Sequence, residues 1–253
     1  IPKKFNPKDK RWIEIWNDVF MQYNKKANGS YHELSQKNVD TGFGVERVTA
    51  ILENKTNVYE TSLFLPIIQK IRLMARLNNN KKEEIYIRKI ADHLKASVFI
   101  LGDENSIMPS NIDRGYVLRR LIRASIRYGK LIGLKKDFCK DIARVIIEIY
   151  KDDYPNLVKK RDFIFDELEK EERRFRNTLE KGLNKFKKLV KGKKLSGKNA
   201  FLLFQSFGFP LEITLELAKE KKIKVDVEGY EKELQEHQEL SRTATKGRFG
   251  SGL

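Results

Sequence analysis

A single cysteine, Cys139, stands in 253 residues. That excludes an internal disulfide framework and any thiolate zinc cluster made by this chain alone, and it fits a reducing cytoplasm. Histidine is scarce as well. His32, His93 and His237 lie far apart, and none has a second ligand three or four residues on, so spacing offers no metal site. No apolar run approaches the roughly 20 residues a membrane span needs, so no membrane partner is expected. The start shows neither a signal-peptide apolar core nor an initiator methionine, and Ile1 reads as an edge within a longer reading frame. No internal repeat is evident. Acidic residues are outnumbered: 35 Asp and Glu against 52 Lys and Arg leave a formal charge of +17, which draws polyanions in a salt-dependent way. Nucleic acid is the first partner this suggests. The alternative is a lysine-biased proteome, since many lysines sit among glutamates on solvated helix faces. With 40% hydrophobic residues the chain is too apolar to be disordered and long enough for two modest cores.

What is present reads as α+β, an antiparallel sheet followed by a larger, mostly helical part. Residues 11–23 are dense in Trp, Ile, Val and Phe and predict a strand. Period two puts Ile13, Ile15, Asn17, Val19 and Met21 on one face and Trp12, Glu14, Trp16, Asp18 and Phe20 on the other. A turn at Asn28-Gly29-Ser30 returns the chain to a second strand near 31–34, and a third over 37–43 leads into a helix at 45–52. From Thr61 helices dominate: 85–101; one capped by Ser110, with Asp113 in the capping-box position, reaching Gly129; 137–150; and a long one over 156–190. Gly192 to Gly197 breaks that helix, Ser196 caps a short one ending at Gly208 before Pro210, and Asp226 caps the last. The small-residue stretch from Thr243 suits a linker. The division expected is therefore 1–60, 61–240 and 241–253.

The most informative stretch is Val39-Asp-Thr-Gly-Phe-Gly-Val-Glu-Arg47, where a strand ends in two glycines and a helix follows. Asp40 and Gly42 share a strand face, so a carboxylate can hold an ammonium while the missing side chain leaves room beside it. Gly44 permits close backbone approach at a helix N-terminus, and Arg47, one turn in, can meet a phosphate or lie on an adenine ring. A bare Gly-x-Gly before a helix is also compatible with nothing more than a turn.

These residues resemble motif 3 of class II aminoacyl-tRNA synthetases, in the form typical of alanyl-tRNA synthetases. Glu14-Ile-Trp-Asn-Asp-Val-Phe-Met-Gln-Tyr-Asn24, Ile90-Ala-Asp-His-Leu94, Pro109-Ser-Asn111 with Arg114-Gly-Tyr-Val-Leu-Arg-Arg120, Thr178-Leu-Glu-Lys-Gly182 and Phe207-Gly-Phe-Pro210 follow in family order over nearly the whole chain. The resemblance implies that the sheet belongs to a class II catalytic domain. Asp40 would bind the alanine ammonium, with Asn17, Val19 and Gly42 lining the pocket, and Gly44 and Arg47 would contact ATP. A buried amide satisfied by sheet neighbours is the alternative for Asn17. The implied reaction is ATP-dependent activation of L-alanine, with magnesium on the phosphates, and transfer to the 3′ end of tRNA. The family's first two motifs are not in this sequence. The expectation is a fragment or subunit, inactive alone, that needs an N-terminal catalytic portion in cis or as a separate subunit. A non-catalytic tRNA-binding module is the competing reading, which the joint presence of Asp40, Gly42, Gly44 and Arg47 disfavours.

Arg114, Arg119, Arg120, Arg123 and Arg127 fall in one helix, the last three at spacings of 3 and 4. No acid lies between Asp113 and Asp137 to pair with this stripe, so phosphate contact is preferred over a solvated face. By resemblance, Asn111 and the position of Gln205 would read a G·U pair in the tRNA acceptor stem. The family pattern has Asp where Gln205 stands, and a neutral amide is a weaker acceptor than a carboxylate. Adjacent Asp92 and His93 point about 100° apart on a helix, which favours a structural or tRNA-proximal role over acid–base chemistry.

Overall fold

Alternating bulky and polar side chains favour extended backbone from Trp16 onward. The computed structural model, which describes residues 12–78 and 80–249 together with Lys4, Asn6 and Asp9, begins β1 (Trp16–Lys25) there. The expected start at Arg11 lies outside the described residues, and residues 12–15 form no strand. β1 turns into an antiparallel partner, β2 (Tyr31–Phe43). Gly29 closes the turn with a φ of +84°, and the Asn28 side chain accepts from the Ser30 backbone N–H at 3.1 Å. The two strands expected at 31–34 and 37–43 are one. Met21 faces Asn38 but Tyr23 faces Glu33, so β2 carries surplus residues here. A bulge keeps the backbone extended through the polar stretch around Ser35, where alternation alone suggested a break.

α1 (Val45–Leu52) forms where expected. Asn57 then caps a 3-10 turn at Val58–Glu60 by accepting from the Tyr59 N–H at 3.1 Å, and Glu53 accepts from the Ser62 N–H at 2.9 Å. These elements belong to the first of two compact units, Ile1–Pro66. Within it the hairpin bears large exposed apolar groups: Phe20 is 79% and Tyr31 66% exposed. A two-stranded sheet has too little surface to bury both of its faces.

The second unit, Ile67–Leu253, is helical. After α2 (Leu65–Met74), Asn80 starts α3 (Lys81–Gly102) with a full capping box: its side chain accepts from the Glu83 N–H at 3.0 Å, and Glu83 accepts from the Asn80 N–H at 3.2 Å. Ile87, Ile90, Leu94 and Val98 recur at helical spacing and are buried. α4 (Asp113–Leu131) starts later than expected, because Ser110 does not cap it. Its hydroxyl donates to the Ile112 carbonyl at 2.8 Å and its N–H to the Gly115 carbonyl at 3.0 Å, which satisfies it in a turn before the helix. α5 (Phe138–Tyr150) follows Asp137 as expected.

The long helix expected over 156–190 is broken at Lys160 into α6 (Pro155–Lys159) and α7 (Arg161–Leu189). The Lys160 ammonium donates to the Asp103 and Glu104 carbonyls at 2.6 and 3.0 Å and to the Ser106 hydroxyl at 2.7 Å, so a tertiary anchor fixes the break. Beyond α7, β3 (Lys194–Leu195) pairs in parallel with β4 (Lys224–Val225), a contact no local pattern announced. Between them lie α8 (Gly197–Phe207), capped by Ser196 through the Asn199 N–H at 3.3 Å and stopped at Gly208, and α9 (Leu211–Glu220). Asp226 accepts from the Gly229 N–H at 2.9 Å at the start of α10 (Val227–Phe249). That helix runs on through most of the stretch expected to be a linker; residues 250–253 of it lie outside the described residues.

In the core, α3 packs on α4, α4 and α5 pack on α7, and α8 packs on α10. One buried charge pair joins these layers: Arg123 Nε of α4 donates to Glu171 Oε1 of α7 at 2.5 Å, with side chains only 10% and 2% exposed. Glu171→Ala strands that guanidinium, and the expected loss is about 3–5 kcal/mol of unfolding free energy, read from urea denaturation followed by helical circular dichroism. Glu171→Gln, which keeps an acceptor, should lose less. A loss below about 1 kcal/mol for the alanine variant would mean the pair is not a structural link.

Candidate functional site

In the hairpin, Asn17 lies opposite Gly42 and Val19 opposite Asp40. Directly paired residues and their i±2 neighbours share a face of an antiparallel sheet, so the residues expected to line one pocket do lie on one face. A Cβ on Gly42 would come within 2.5 Å of Asn17 Oδ1, so the glycine is what lets the Asn17 amide lie across the partner strand. All of these side chains are exposed. Among the described residues neither the Asn17 amide nor the Asp40 carboxylate has a side-chain partner, so the amide is not the satisfied sheet amide that was the alternative. The arrangement offers one free anion beside a donor–acceptor amide that fills the space over Gly42. Met21, opposite Asn38, extends the same face; period two measured back from Asp40 would have found Asn38.

Gly44 sits at the N-cap of α1, its N–H donating to the Ile15 carbonyl at 3.0 Å. Arg47 is half exposed and turned onto the chain preceding β1: Nη1 donates to the Glu14 carbonyl at 2.7 Å and lies 3.7 Å from Glu14 Oε1. Sequence reasoning placed Glu14 on the opposite face to the pocket residues and did not anticipate it as an anchor for Arg47.

The arginine stripe of α4 requires a correction. Its acids come from other helices. Arg120 donates to Glu212 at 2.6 Å, and Arg127, 4% exposed, donates to Glu216 and Glu220 at 3.0 and 2.6 Å. Arg123 is held by Glu171 and by the Gly208 carbonyl, while Arg119 donates to the Asn111 amide oxygen and, at 2.9 Å, to the Pro109 carbonyl. The premise that no acid pairs with the stripe therefore fails, because α7 and α9 supply the acids. Only Arg114 is exposed with no ion-pair partner among the described residues. Asn111 is exposed before α4, oriented by Arg119. Gln205 is exposed on α8, next to Phe204, whose ring meets Tyr116 of α4 with centroids 6.2 Å apart.

Burial first, then the nearby Lys89 and Arg120 charges, push His93 down to about 4 against the opposing pull of Glu216. Its imidazole is therefore neutral near pH 7, and its Nδ1 has no hydrogen-bond partner. That suits packing beside Tyr128, 6.2 Å away, better than proton transfer. Among the described residues no group of three or more His, Cys, Asp or Glu side chains could hold a metal ion, and no helix is long and apolar enough to cross a membrane.

The hairpin sets a glycine opposite an amide and runs at once into a helix bearing an arginine. The family model described as tRNA synthetases class II (A) matches residues 2–250, and the chain belongs to that family. Among individual proteins, it is similar to the alanine–tRNA ligase of Borrelia hermsii (strain HS1 / DAH), 44% identical over 248 residues that make up 96% of this chain and 42% of that protein. The alanine–tRNA ligases of Treponema pallidum (strain Nichols) and Prochlorococcus marinus (strain MIT 9312) are 40% and 44% identical, covering 96% and 93% of this chain but 42% and 27% of their own lengths. The resemblance drawn from the motifs is thereby borne out, and the chain spans less than half the length of the curated relatives it matches.

Gly42→Ala tests the site geometry directly. The new methyl must displace the Asn17 carboxamide, so in 15N-labelled protein the Asn17 side-chain NH2 resonances should move while those of Asn24 stay and thermal melting of the helices is unchanged. Unmoved Asn17 resonances would show that the two residues do not pack together.

Proposed function

We propose that this chain supplies the amino-acid side of the activation site, and part of the tRNA-binding surface, of an alanine–tRNA ligase acting in the cytoplasm. The observation that carries the reading is the register: Asn17 opposite Gly42 and Val19 opposite Asp40 bring a free carboxylate and an amide onto one face, with the Asn17 carboxamide lying over the glycine. That set suits an α-amino acid with a one-carbon side chain. Asp40 would hold the ammonium, Asn17 would orient the substrate, and Val19 would close the pocket around the methyl group. The alanine carboxylate then attacks the α-phosphorus of ATP; a bond forms from carboxylate oxygen to phosphorus as the bond to pyrophosphate breaks. The alanyl group passes next to a ribose hydroxyl of the terminal adenosine of tRNA, an ester bond forming as the anhydride bond to AMP breaks. Gly44 and Arg47 flank the ATP side, with Arg47 exchanging the Glu14 carbonyl for the nucleotide. Magnesium, expected on the phosphates, would be held chiefly by ATP itself, since no cluster of three or more carboxylate, His or Cys side chains lies among the described residues.

In the helical unit, Asn111 and Gln205 would read the acceptor-stem G·U pair, with Arg114 on the adjoining backbone. Arg119, Arg120, Arg123 and Arg127 then act as positioning residues rather than phosphate ligands, Arg119 by holding the Asn111 amide oxygen. The remainder of the activation site comes from a catalytic portion outside these 253 residues, in cis or as a separate subunit.

Alanine-dependent pyrophosphate exchange tests the first half. In a complete enzyme containing this sequence, Asp40→Asn should raise KM for alanine by roughly two to three orders of magnitude, the scale of a lost charged hydrogen bond. The 253-residue chain alone should show no exchange. An unchanged KM would remove Asp40 from the site, and turnover by the isolated chain would show that the site is complete without other segments. For the second half, Gln205→Ala should narrow the preference for G·U over G·C minihelices by roughly tenfold, a loss of about 1–2 kcal/mol. An unchanged ratio would assign the reading to Asn111 alone.

A further inference from the structure

We propose that the ribbon where β3 meets β4 is a cationic platform for the phosphate backbone of duplex RNA, recognising charge and not base sequence. The proposal deepens the tRNA-binding reading above and rests on it. β3 and β4 pair in parallel with Lys194 opposite Lys224. The Lys224 N–H donates to the Lys193 carbonyl at 2.9 Å, and Lys191 and Lys194 bridge one another through backbone bonds of 3.1 and 3.2 Å. Two segments remote in sequence thus bring their lysines to one short ribbon. Every one of these side chains is exposed, and none has an ion-pair or hydrogen-bond partner among the described residues.

Among the described residues no carboxylate forms an ion pair with them, and Glu228, four residues beyond Lys224, is the one exposed acid nearby in that segment that is left unpaired. Residues 187–198 contain no acid. On the other segment Glu220 is taken by Arg127 at 2.6 Å, and Asp226 accepts from the backbone N–H groups of Gly197 and Gly229 at 3.2 and 2.9 Å. Like charges set opposite one another on paired strands repel, so this arrangement opposes folding unless a polyanion relieves it. Lys222, two residues before Lys224, is exposed as well. Lys222 holds a φ of +54°, a left-handed conformation in which glycine or asparagine is the usual occupant. A lysine kept at such a position works against the local backbone preference.

The surface suits RNA better than a membrane. No large apolar side chain between residues 187 and 226 is exposed, so there is nothing to insert below lipid headgroups. Lysine ammonium groups are mobile point charges, suited to tracking phosphates without reading bases. The sequence reading assigned the phosphate contacts to the arginines of α4, which the fold has neutralised. The lysines were visible only as scattered positives, because their convergence depends on the β3–β4 pair.

The test is fluorescence anisotropy of the 253-residue protein with labelled acceptor-stem RNA minihelices, across a salt series. Lys193→Gln, Lys194→Gln and Lys224→Gln combined should weaken binding at least tenfold. The slope of log affinity against log salt should flatten by about two to three, since each phosphate contact contributes about 0.9 or somewhat less. G·U and G·C stems should lose affinity equally, and the triple Lys→Arg variant should bind as the parent does. If the parent binds RNA and the glutamine variant, folded by circular dichroism, keeps its affinity and slope, the platform is refuted. Phosphatidylserine vesicles that compete as well as RNA, charge for charge, would make the surface a lipid one and also refute it. A parent that binds every duplex without preferring the G·U stem, with the variant still weakened, would overturn G·U reading by this chain and leave the platform standing. No RNA binding by the parent would overturn both.

Discussion

The helical unit is organised around the place the Arg123 guanidinium has to go. It leaves α4 and enters a buried position between the Glu171 carboxylate of α7 and the Gly208 carbonyl at the end of α8, with its Cζ 5.1 Å from the centre of the Phe175 ring. Burial works against its charge, and Glu171 supplies most of the compensation. Gly208 serves twice here. Its φ of +61° stops α8, and its lack of a side chain leaves space that a Cβ would deny to Arg123. Paired buried ions add little net stability over apolar replacements, but half of such a pair is costly, so they select one arrangement against its competitors. Arg123 therefore sets how α4, α7 and α8 come together.

The same use of charge recurs through the unit. Arg127 joins α4 to α9 through Glu216 and Glu220, Lys89 of α3 reaches Glu216 and the Tyr128 hydroxyl at 3.0 and 2.9 Å, and Arg176 holds Glu172 at 2.7 Å. Glu172 in turn accepts from the Asp137 and Cys139 N–H groups at the start of α5. Burial and the Glu172 charge push the Cys139 thiol upward, so the one cysteine stays protonated and inert. Arginine, whose planar fork can satisfy two acceptors while buried, takes most of the interior positions, and lysine carries most of the exposed charge. A formal charge of +17 is therefore distributed very unevenly between cross-links and surface.

That division explains which parts of the molecule were legible in the sequence. The hairpin face was readable because it depends on period two and a single turn; Asn17, Val19, Asp40 and Gly42 needed only correct pairing, and Asn28-Gly29 supplied it. Ser196 and Asp226 were readable as caps because a cap is a contact three residues long. The break at Lys160, the β3–β4 pair and the partners of the α4 arginines were not, since each depends on residues far away in the chain. The partners of the stripe at 120, 123 and 127 are hidden from the sequence for a specific reason. Its spacing is helical, but an absence of acids nearby in sequence is not an absence in space: Glu171, Glu212, Glu216 and Glu220 supply them from α7 and α9.

Satisfaction of charge is therefore a better guide to function here than charge itself. A guanidinium already held by two carboxylates gains little from a phosphate, because binding would first have to break contacts it already makes. Arg127 is of that kind. Asp40 is the opposite case: a carboxylate on an ordered strand, opposite Val19, with no internal partner among the described residues. Its exposure leaves its desolvation still to be met, and an ammonium ligand would bring the counter-charge with it. Gly42 keeps the neighbouring amide in place without adding a competing donor. The strand pair thus leaves one anion unpaired beside an amide, while the arginines of α4, already paired, hold the helical unit in one arrangement.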